Sequence, residues 1–564
     1  MSLVSDAVRI EFNELNAPSD DGGALVVPSA SQWANLARTN HQLLAQCRAP
    51  LLDRPLHLWR DSFRAALGFG PEQVVIVVGH QPECFHAGVW AKYVVARRFA
   101  DAIGGVALDL VVDNDAAKNL SLSLPEVSES RVRLEKIPLA SSGRHHTYEQ
   151  VPAVPAERIR EIREKARRSL SKRWDSSGMP RFFEGLRDAV SLPRNARGDT
   201  PAVDWVSQLL CGRRRLDESW GVTMNDRRVS ELPANPLVAD MIFNAERFAA
   251  CYNNALRAYR REHAISGNRR PMPDLDRKGD RYELPLWFVA GPPGLAESGT
   301  GQLELSEADR SRVFVETSGD QVRLFAGEEV VAELSRSDVH RAEICRDARA
   351  ANVTESGSRD VITGFSTVAS MLRPRALTLT LSARLLLADL FVHGIGGAKY
   401  DRMTDALIHD YYGLEAPPFA CVTATLRMNL DGPTVSVSDV QRKRTRMRDF
   451  HWNPQRQLPA SRLDESLVAL RQQAVDLSGR LRREAPYDRH ARRAVFESIR
   501  AISGQLRSLA PGFAEALESE WEQARAHRVS REIAQNREYF YGLHDSSRLQ
   551  AMMDTLPASG DFGL

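Results

Sequence analysis

Val74-Val-Ile-Val-Val-Gly-His-Gln-Pro-Glu-Cys-Phe-His-Ala-Gly-Val-Trp-Ala-Lys92 is the stretch on which the fold turns. Five consecutive Val/Ile residues without polar alternation read as a strand buried on both faces, the signature of a parallel strand covered by helices. Gly79 allows a tight exit, and a helix is expected from about Ala87. The unpaired N–H groups and positive dipole end of that helix then face the carboxyl end of the strand, where open α/β sheets bind anions. His80, Gln81 and His86 lie in the loop between, and Lys92 follows on the helix. A βα loop with two incidental histidines is the plainer reading of the same residues.

A second apolar run, Val106-Ala-Leu-Asp-Leu-Val-Val-Asp-Asn-Asp115, ends in the polar cluster Asp113, Asn114 and Asp115. Strand, helix and strand with polar residues at both carboxyl ends form a right-handed βαβ unit with a site on its rim. His80, Gln81, His86, Asp113 and Asp115 are the candidate catalytic residues.

Composition bounds the class. The 564 residues allow roughly two to four domains with sizeable cores, and 43% hydrophobic with 26% charged residues is ordinary for a globular chain. Lys and Arg number 75 against 73 Asp and Glu, a net charge of +2, so no global field draws nucleic acid or an anionic membrane. There is no run of 18 uncharged apolar residues, and Met-Ser-Leu-Val-Ser-Asp-Ala at the start does not resemble a signal peptide, so a cytoplasmic location is expected. The six cysteines (Cys47, Cys84, Cys211, Cys251, Cys345, Cys421) have neither disulfide-framework nor zinc spacing. Cys84 lies in the first loop, where a buried hydrophobe competes with a nucleophile as its reading.

Along the chain, residues 1–65 form an N-terminal helical segment, with a helix over Ser31 to Cys47, and 66–125 the first half of a Rossmann-like core. Residues 126–355 are an insertion, with helices in 157–168 and 246–263, a break at Pro271-Met-Pro, and strands near 281–290, 313–315 and 322–325. The second half of the core, 356–440, carries Leu372-Arg-Pro-Arg and an apolar strand ending in His393-Gly-Ile-Gly-Gly-Ala-Lys-Tyr-Asp401. Here Gly394, Gly396 and Gly397 let backbone approach a ligand, while Lys399 and Asp401 engage a phosphate and a ribose hydroxyl or cap the helix. The candidate cofactor-binding set is Gly79, Lys92, Arg373, His393, Gly394, Gly396, Gly397, Lys399 and Asp401.

Residues 441–564 read as a C-terminal helical hairpin. Leu463, Leu467, Leu470, Ala474, Leu477, Leu481 and then Val495, Ile499, Ile502, Leu506, Leu509, Phe513 step by 4 and 3 in turn, as heptad stripes do. An intrachain antiparallel pair buries both stripes; a homodimeric coiled coil is the alternative. The basic run Arg442-Lys-Arg-Thr-Arg-Met-Arg448 reads as a solvated helix face, with a mobile phosphate-binding loop as its rival, and nucleic acid is not expected as a partner.

In their order, these motifs resemble the bacillithiol synthase family over about residues 70–545. Gly79, Gln81, Phe85 and Gly88 match its Gly-Gln-Gln loop, with His80 in place of the first glutamine and no counterpart for His86. Asp113 and Asp115 fall where the family has Glu-Asp-His-Asp, without the histidine. Arg373 and Pro374 match its Leu-Arg-Pro, while Gly396, Gly397 and Tyr400 match Gly-Gly-Pro-Gly-Glu-x-x-Tyr, whose glutamate falls near Lys399.

The resemblance implies a Rossmann-like core of the nucleotidyltransferase kind, inserted connecting domains and a C-terminal coiled coil. It also implies a ligase that joins an amino acid such as cysteine to a small amine or amino sugar, with ATP or another nucleotide and Mg²⁺. Two functions follow as expectations: that ligase, with a small-molecule substrate, or a catalytically inactive scaffold of the same fold that binds a nucleotide or partner.

Overall fold

The computed structural model describes residues 14–128, 131–142, 146–190, 204–267, 272–289, 310–337, 365–428, 430 and 436–564. The N-terminal heptapeptide, Pro271 and Cys345 lie outside the described residues. The chain is α/β and groups into two compact units. The first comprises Met1–Ser123, Lys136–Arg427 and Arg537–Leu564; the second comprises Leu124–Glu135 and Met428–Asn536. The helical unit therefore ends before Arg537, and the last 28 residues belong to the first unit instead of the hairpin.

The first unit is built on a six-stranded sheet: β1 (Ala24–Val27), β2 (Val75–His80), β3 (Val106–Val111), β4 (Asn225–Arg228), β5 (Leu390–His393) and β6 (Ala420–Ala424). Their spatial order is β1-β6-β5-β2-β3-β4, so successive strands run outward in opposite directions from the β5/β2 pair. All pairs from β6 to β4 are parallel, and β1 closes one edge antiparallel to β6. The expected adjacency holds: β2 pairs with β3 from Val75↔Val106 to His80↔Val111.

Val75, Ile76, Val77 and Val78 are each fully buried. At about 1.5–3 kcal/mol for each large aliphatic side chain removed from water, this run is reason enough for the strand to sit mid-sheet. α1 (Ala87–Ile103) connects β2 to β3, and α2 (Ile395–Tyr412) connects β5 to β6.

Three expectations need correction. The N-terminal segment is not only helical, because it supplies edge strand β1. The inserted region supplies β4, whose Asn-Asp-Arg-Arg sequence has no apolar signal. The apolar stretch before His393 is mostly helix (Ala376–Ser382) with a π turn (Ala383–Leu387), leaving a strand of four residues.

Also in this unit, an antiparallel sheet orders Glu329–Ser335, Gln321–Ala326, Arg310–Ser318, Arg281–Val289 and Leu372–Pro374. Leu372-Arg-Pro374 thus pairs with Leu286–Phe288 instead of joining the parallel sheet.

Among the described residues the second unit contains four α-helices, α3 (Val437–Trp452), α4 (Glu465–Glu484), α5 (Arg489–Ser508) and α6 (Pro511–Ala534). α4 packs on α5, as the hairpin reading requires, and α3 packs on α6. The stripe on α4 is nevertheless displaced. Leu470 is 51% and Leu477 40% exposed, whereas Arg471 is buried. The Arg471 guanidinium donates to Ser503 Oγ at 3.0 Å and to the Trp452 carbonyl and Asn453 Oδ1 at 2.7 Å each. This hydrogen-bonding demand rotates α4 away from the leucine register.

Leu470→Asp is therefore expected to cost about 1 kcal/mol or less, as exposed substitutions do, while Leu506→Asp, at a fully buried position, costs several. Urea unfolding of the two variants checks this; equal losses would restore the leucine seam.

The basic run lies on α3. Arg442 pairs with Asp439, and Lys443 and Arg446 lie 4.0 and 3.5 Å from Glu520 of α6. It forms a charged helix face and not a loop. Among the described residues no helix is long and apolar enough to cross a membrane.

Candidate functional site at the carboxyl ends of the parallel strands

A cavity of about 430 Å³ opens where the strand order reverses between β2 and β5. The β2–α1 loop contributes Gly79, His80, Gln81 and His86, and the β5–α2 loop contributes His393, Gly394, Gly396 and Gly397. Lys92, Thr380, Tyr400, Asp401, Thr423 and Arg537 add to its polar lining. The two glycine-containing loops that the sequence singles out thus meet in one space, at the amino ends of two helices. Gly88 is required by packing: a Cβ there would lie 2.3 Å from the Ala424 carbonyl oxygen.

His80 Nδ1 donates to the Gln81 carbonyl at 3.0 Å, which assigns the ring proton to Nδ1 and leaves Nε2 as an acceptor. Burial first, then the charges of Lys92 and Arg213, lowers its pKa to about 3. A neutral imidazole with Nδ1–H engaged has no donor for a phosphate oxygen, so His80 can serve a ligand only as an acceptor.

His86 is the helix cap of α1. Its Nδ1 accepts from Gly88 N at 3.0 Å, and its Nε2 lies 3.2 Å from Glu538, so both nitrogens are occupied and it is unsuited to act as a general base or phosphate donor. Lys92 is buried under the loop and donates to the Gly79 carbonyl at 2.5 Å. Burial, against the attraction of Asp109, brings it down to about 8.

The acidic candidates separate. Asp113 is fully buried and bonded to Arg228 (2.7 Å) and to the backbone and hydroxyl of Ser230 (3.0 and 2.5 Å), which ties the end of β3 to the chain after β4. It is committed internally and holds neither Mg²⁺ nor an ammonium group. Asp115 is half-buried and accepts from Gln81 Nε2 at 3.3 Å.

Asp401 lines the cavity, but its Oδ2 accepts from His393 Nε2 at 3.0 Å and from Arg384 at 2.7 Å. Burial raises its pKa, yet Arg384 and His393 outweigh burial and hold it at about 2. It orients His393 and is not free to bind a ribose. Lys399 is half-buried and Arg373 is spent on a bidentate pair with Glu149 (3.0 and 2.9 Å); neither belongs to the lining, so both leave the binding set. Cys84 is pushed up to about 12 by burial, which removes it as a nucleophile.

Sequence reasoning missed the contribution of the C-terminal return. Arg537 lines the cavity, the Tyr541 N–H donates to the Phe85 carbonyl at 3.1 Å, and the Tyr541 ring stacks on Trp90 at 4.9 Å. Asp217 accepts from both Trp90 Nε1 (2.8 Å) and Tyr541 OH (2.7 Å), which fixes this return beneath the loop. No local motif marks residues that act only through such distant packing.

Among the described residues no cluster of three or more His, Cys, Asp or Glu side chains is arranged to hold a metal ion. No protein-family model matches the chain, and no curated protein matches it.

Proposed function

We propose that the first unit has a Rossmann-like, nucleotidyltransferase-like core and works as a ligase of the kind found in bacillithiol synthases, joining an amino acid to a small amine or amino sugar. The observation that carries this reading is the single cavity shared by the β2–α1 and β5–α2 loops at the reversal of strand order. Open parallel sheets bind nucleotides at such a point, where helix amino ends favour phosphate. The outward order β2-β3-β4 and β5-β6 supports the same assignment.

In this proposal ATP occupies the cavity. Its phosphates lie toward the amino ends of α1 and α2, and Mg²⁺ arrives with the triphosphate, since phosphate oxygens and water usually supply most Mg²⁺ ligands. The amino-acid carboxylate is activated by displacing pyrophosphate or ADP from ATP. The amine nitrogen then forms a bond to the acyl carbon as the nucleotide or phosphate leaves and the nitrogen gives up a proton. His80 Nε2 is the acceptor that orients the amine N–H, and Gln81 stands beside it.

Incubating the full chain with ATP, Mg²⁺, cysteine and an amino sugar tests this: an amide product formed in step with nucleotide cleavage is expected, and nucleotide binding without any product across an amino-acid panel would contradict the ligase. One observation favours a second reading, a non-catalytic nucleotide-binding scaffold. Asp113, Asp401 and His86 are all engaged in internal contacts.

A further inference from the structure

The charge of the cavity between the β2–α1 and β5–α2 loops is one-sided. Among its described lining residues Asp401 is the one acid, and its carboxylate is committed to Arg384 and His393. The lysine and the arginine of the lining differ in what they leave open. Lys92 is 4% exposed and donates to the Gly79 carbonyl, whereas the Arg537 side chain is 26% exposed. Arg537, the first residue of the C-terminal return, is therefore the lining cation that a ligand can reach.

The guanidinium is already fixed on two of its nitrogens. Nη1 donates to the hydroxyl of Thr425, one position past the end of β6, at 3.0 Å, and Nε donates to Glu538 Oε1 at 3.1 Å. The other oxygen of Glu538 lies 3.2 Å from His86 Nε2, so the same carboxylate ties Arg537 to the cap of α1. Nη2 is neither buried nor bonded to any described residue. A guanidinium held in this way loses little further freedom when its spare donor meets a phosphate oxygen, and the bond it makes is charge-assisted. The amino end of α2 adds to the demand for an anion. Gly394 gives it no side-chain cap, and Ile395, Gly396 and Gly397 of its first turn all line the cavity.

We infer that Arg537 reads the polyphosphate of the ligand, with Nη2 donating to phosphate oxygens, so that the site selects a nucleoside di- or triphosphate over the bare nucleoside. The inference rests on the reading of this cavity as the nucleotide site and names the side chain that recognises the charged end. Thr425 and Glu538 act on the ligand only through Arg537 and are positioning residues.

The probes are ATP, inorganic tripolyphosphate and adenosine, each titrated calorimetrically into the full chain with Mg²⁺ present. Arg537→Gln should weaken ATP and tripolyphosphate at least tenfold and leave adenosine unchanged, and Arg537→Lys should weaken the two phosphates less. Melting temperatures identify a variant that fails to fold. Should Arg537→Gln be one, Thr425→Val, which removes the Nη1 anchor and keeps the charge, takes its place with a smaller loss of both phosphates expected. Equal phosphate affinity in native and well-folded Arg537→Gln proteins, a loss that adenosine shares, or a native chain that binds neither phosphate would overturn the proposal. Tripolyphosphate binding that depends on Arg537 and gains nothing from an attached adenosine would uphold Arg537 as the phosphate residue and remove the nucleotide reading alone.

Discussion

Asp389→Ala is expected to lower the unfolding free energy by about 3–5 kcal/mol, the range for removing one side of a buried ion pair. Asp389 sits just before β5, is fully buried, and accepts from Arg60 (2.7 Å), Arg64 (3.1 Å) and the Val75 backbone N–H (2.7 Å). His41 Nδ1 lies 3.0 Å away. One carboxylate therefore joins the Leu56–Ala66 helix to the starts of β2 and β5, the strands that flank the cavity. Without it, two guanidiniums stay buried with their charge uncompensated.

Burial raises the Asp389 pKa, but His41, Arg60, Arg64 and the Val75 N–H together keep it below the ordinary value of 3.8. A depressed carboxylate contributes its stability above the unfolded-state pKa and loses it as pH falls through the folded-state value. The difference between native and Asp389→Ala proteins in urea unfolding should thus be constant near neutrality and narrow below about pH 4. A difference under about 1 kcal/mol at neutral pH would mean that this pair does not anchor the sheet.

His80→Ala should reduce turnover of the proposed ligase by about two to four orders of magnitude with little change in melting temperature. The imidazole is held by the Gln81 carbonyl, its remaining acceptor is Nε2, and the residue belongs to the cavity lining. With a resting pKa of about 3 it is a weak base, so in the proposed ligase it would serve the amine as a hydrogen-bond acceptor and not as a resting general base. Its ring signals in NMR should not titrate between about pH 5 and 8 in the free protein. Unchanged turnover in a folded His80→Ala protein would remove it from the chemistry.

What could be read in the sequence follows from how local each signal is. Val74–Val78 announces a parallel strand because continuous β-branched residues suit a strand covered on both faces, and Val106–Val112 does so with Asp109 as its one polar interruption. Leu377–Leu387, with leucines alternating with Thr378, Thr380 and Ser382 before Leu385–Leu387, also reads as strand yet forms helix and π turn, since a short leucine-rich pattern does not separate a buried strand from a buried helix. β4 was illegible: Asn225–Arg228 joins the sheet edge through backbone pairing with β3 while its side chains are polar. The paired loops of the cavity were legible from glycines and polar residues at strand ends. The state of each polar group was not, because Asp113 and Asp401 are claimed by Arg228 and Arg384, distant or helix-borne partners that spacing does not reveal. Asn114 and Pro374 meet across 260 positions, and no local pattern encodes such a contact.

The most direct test of the central claim is ATP titration of the native and Gly396→Trp proteins in the presence of Mg²⁺. Gly396 is exposed on the cavity wall, and a Cβ there would meet no atom within 4 Å, so an indole can fill the space without forcing the fold apart. The account predicts ATP binding by the native chain and its loss in Gly396→Trp at an unchanged melting temperature. Binding of equal strength in both proteins, or no nucleotide binding by the native chain at millimolar ATP, would contradict it.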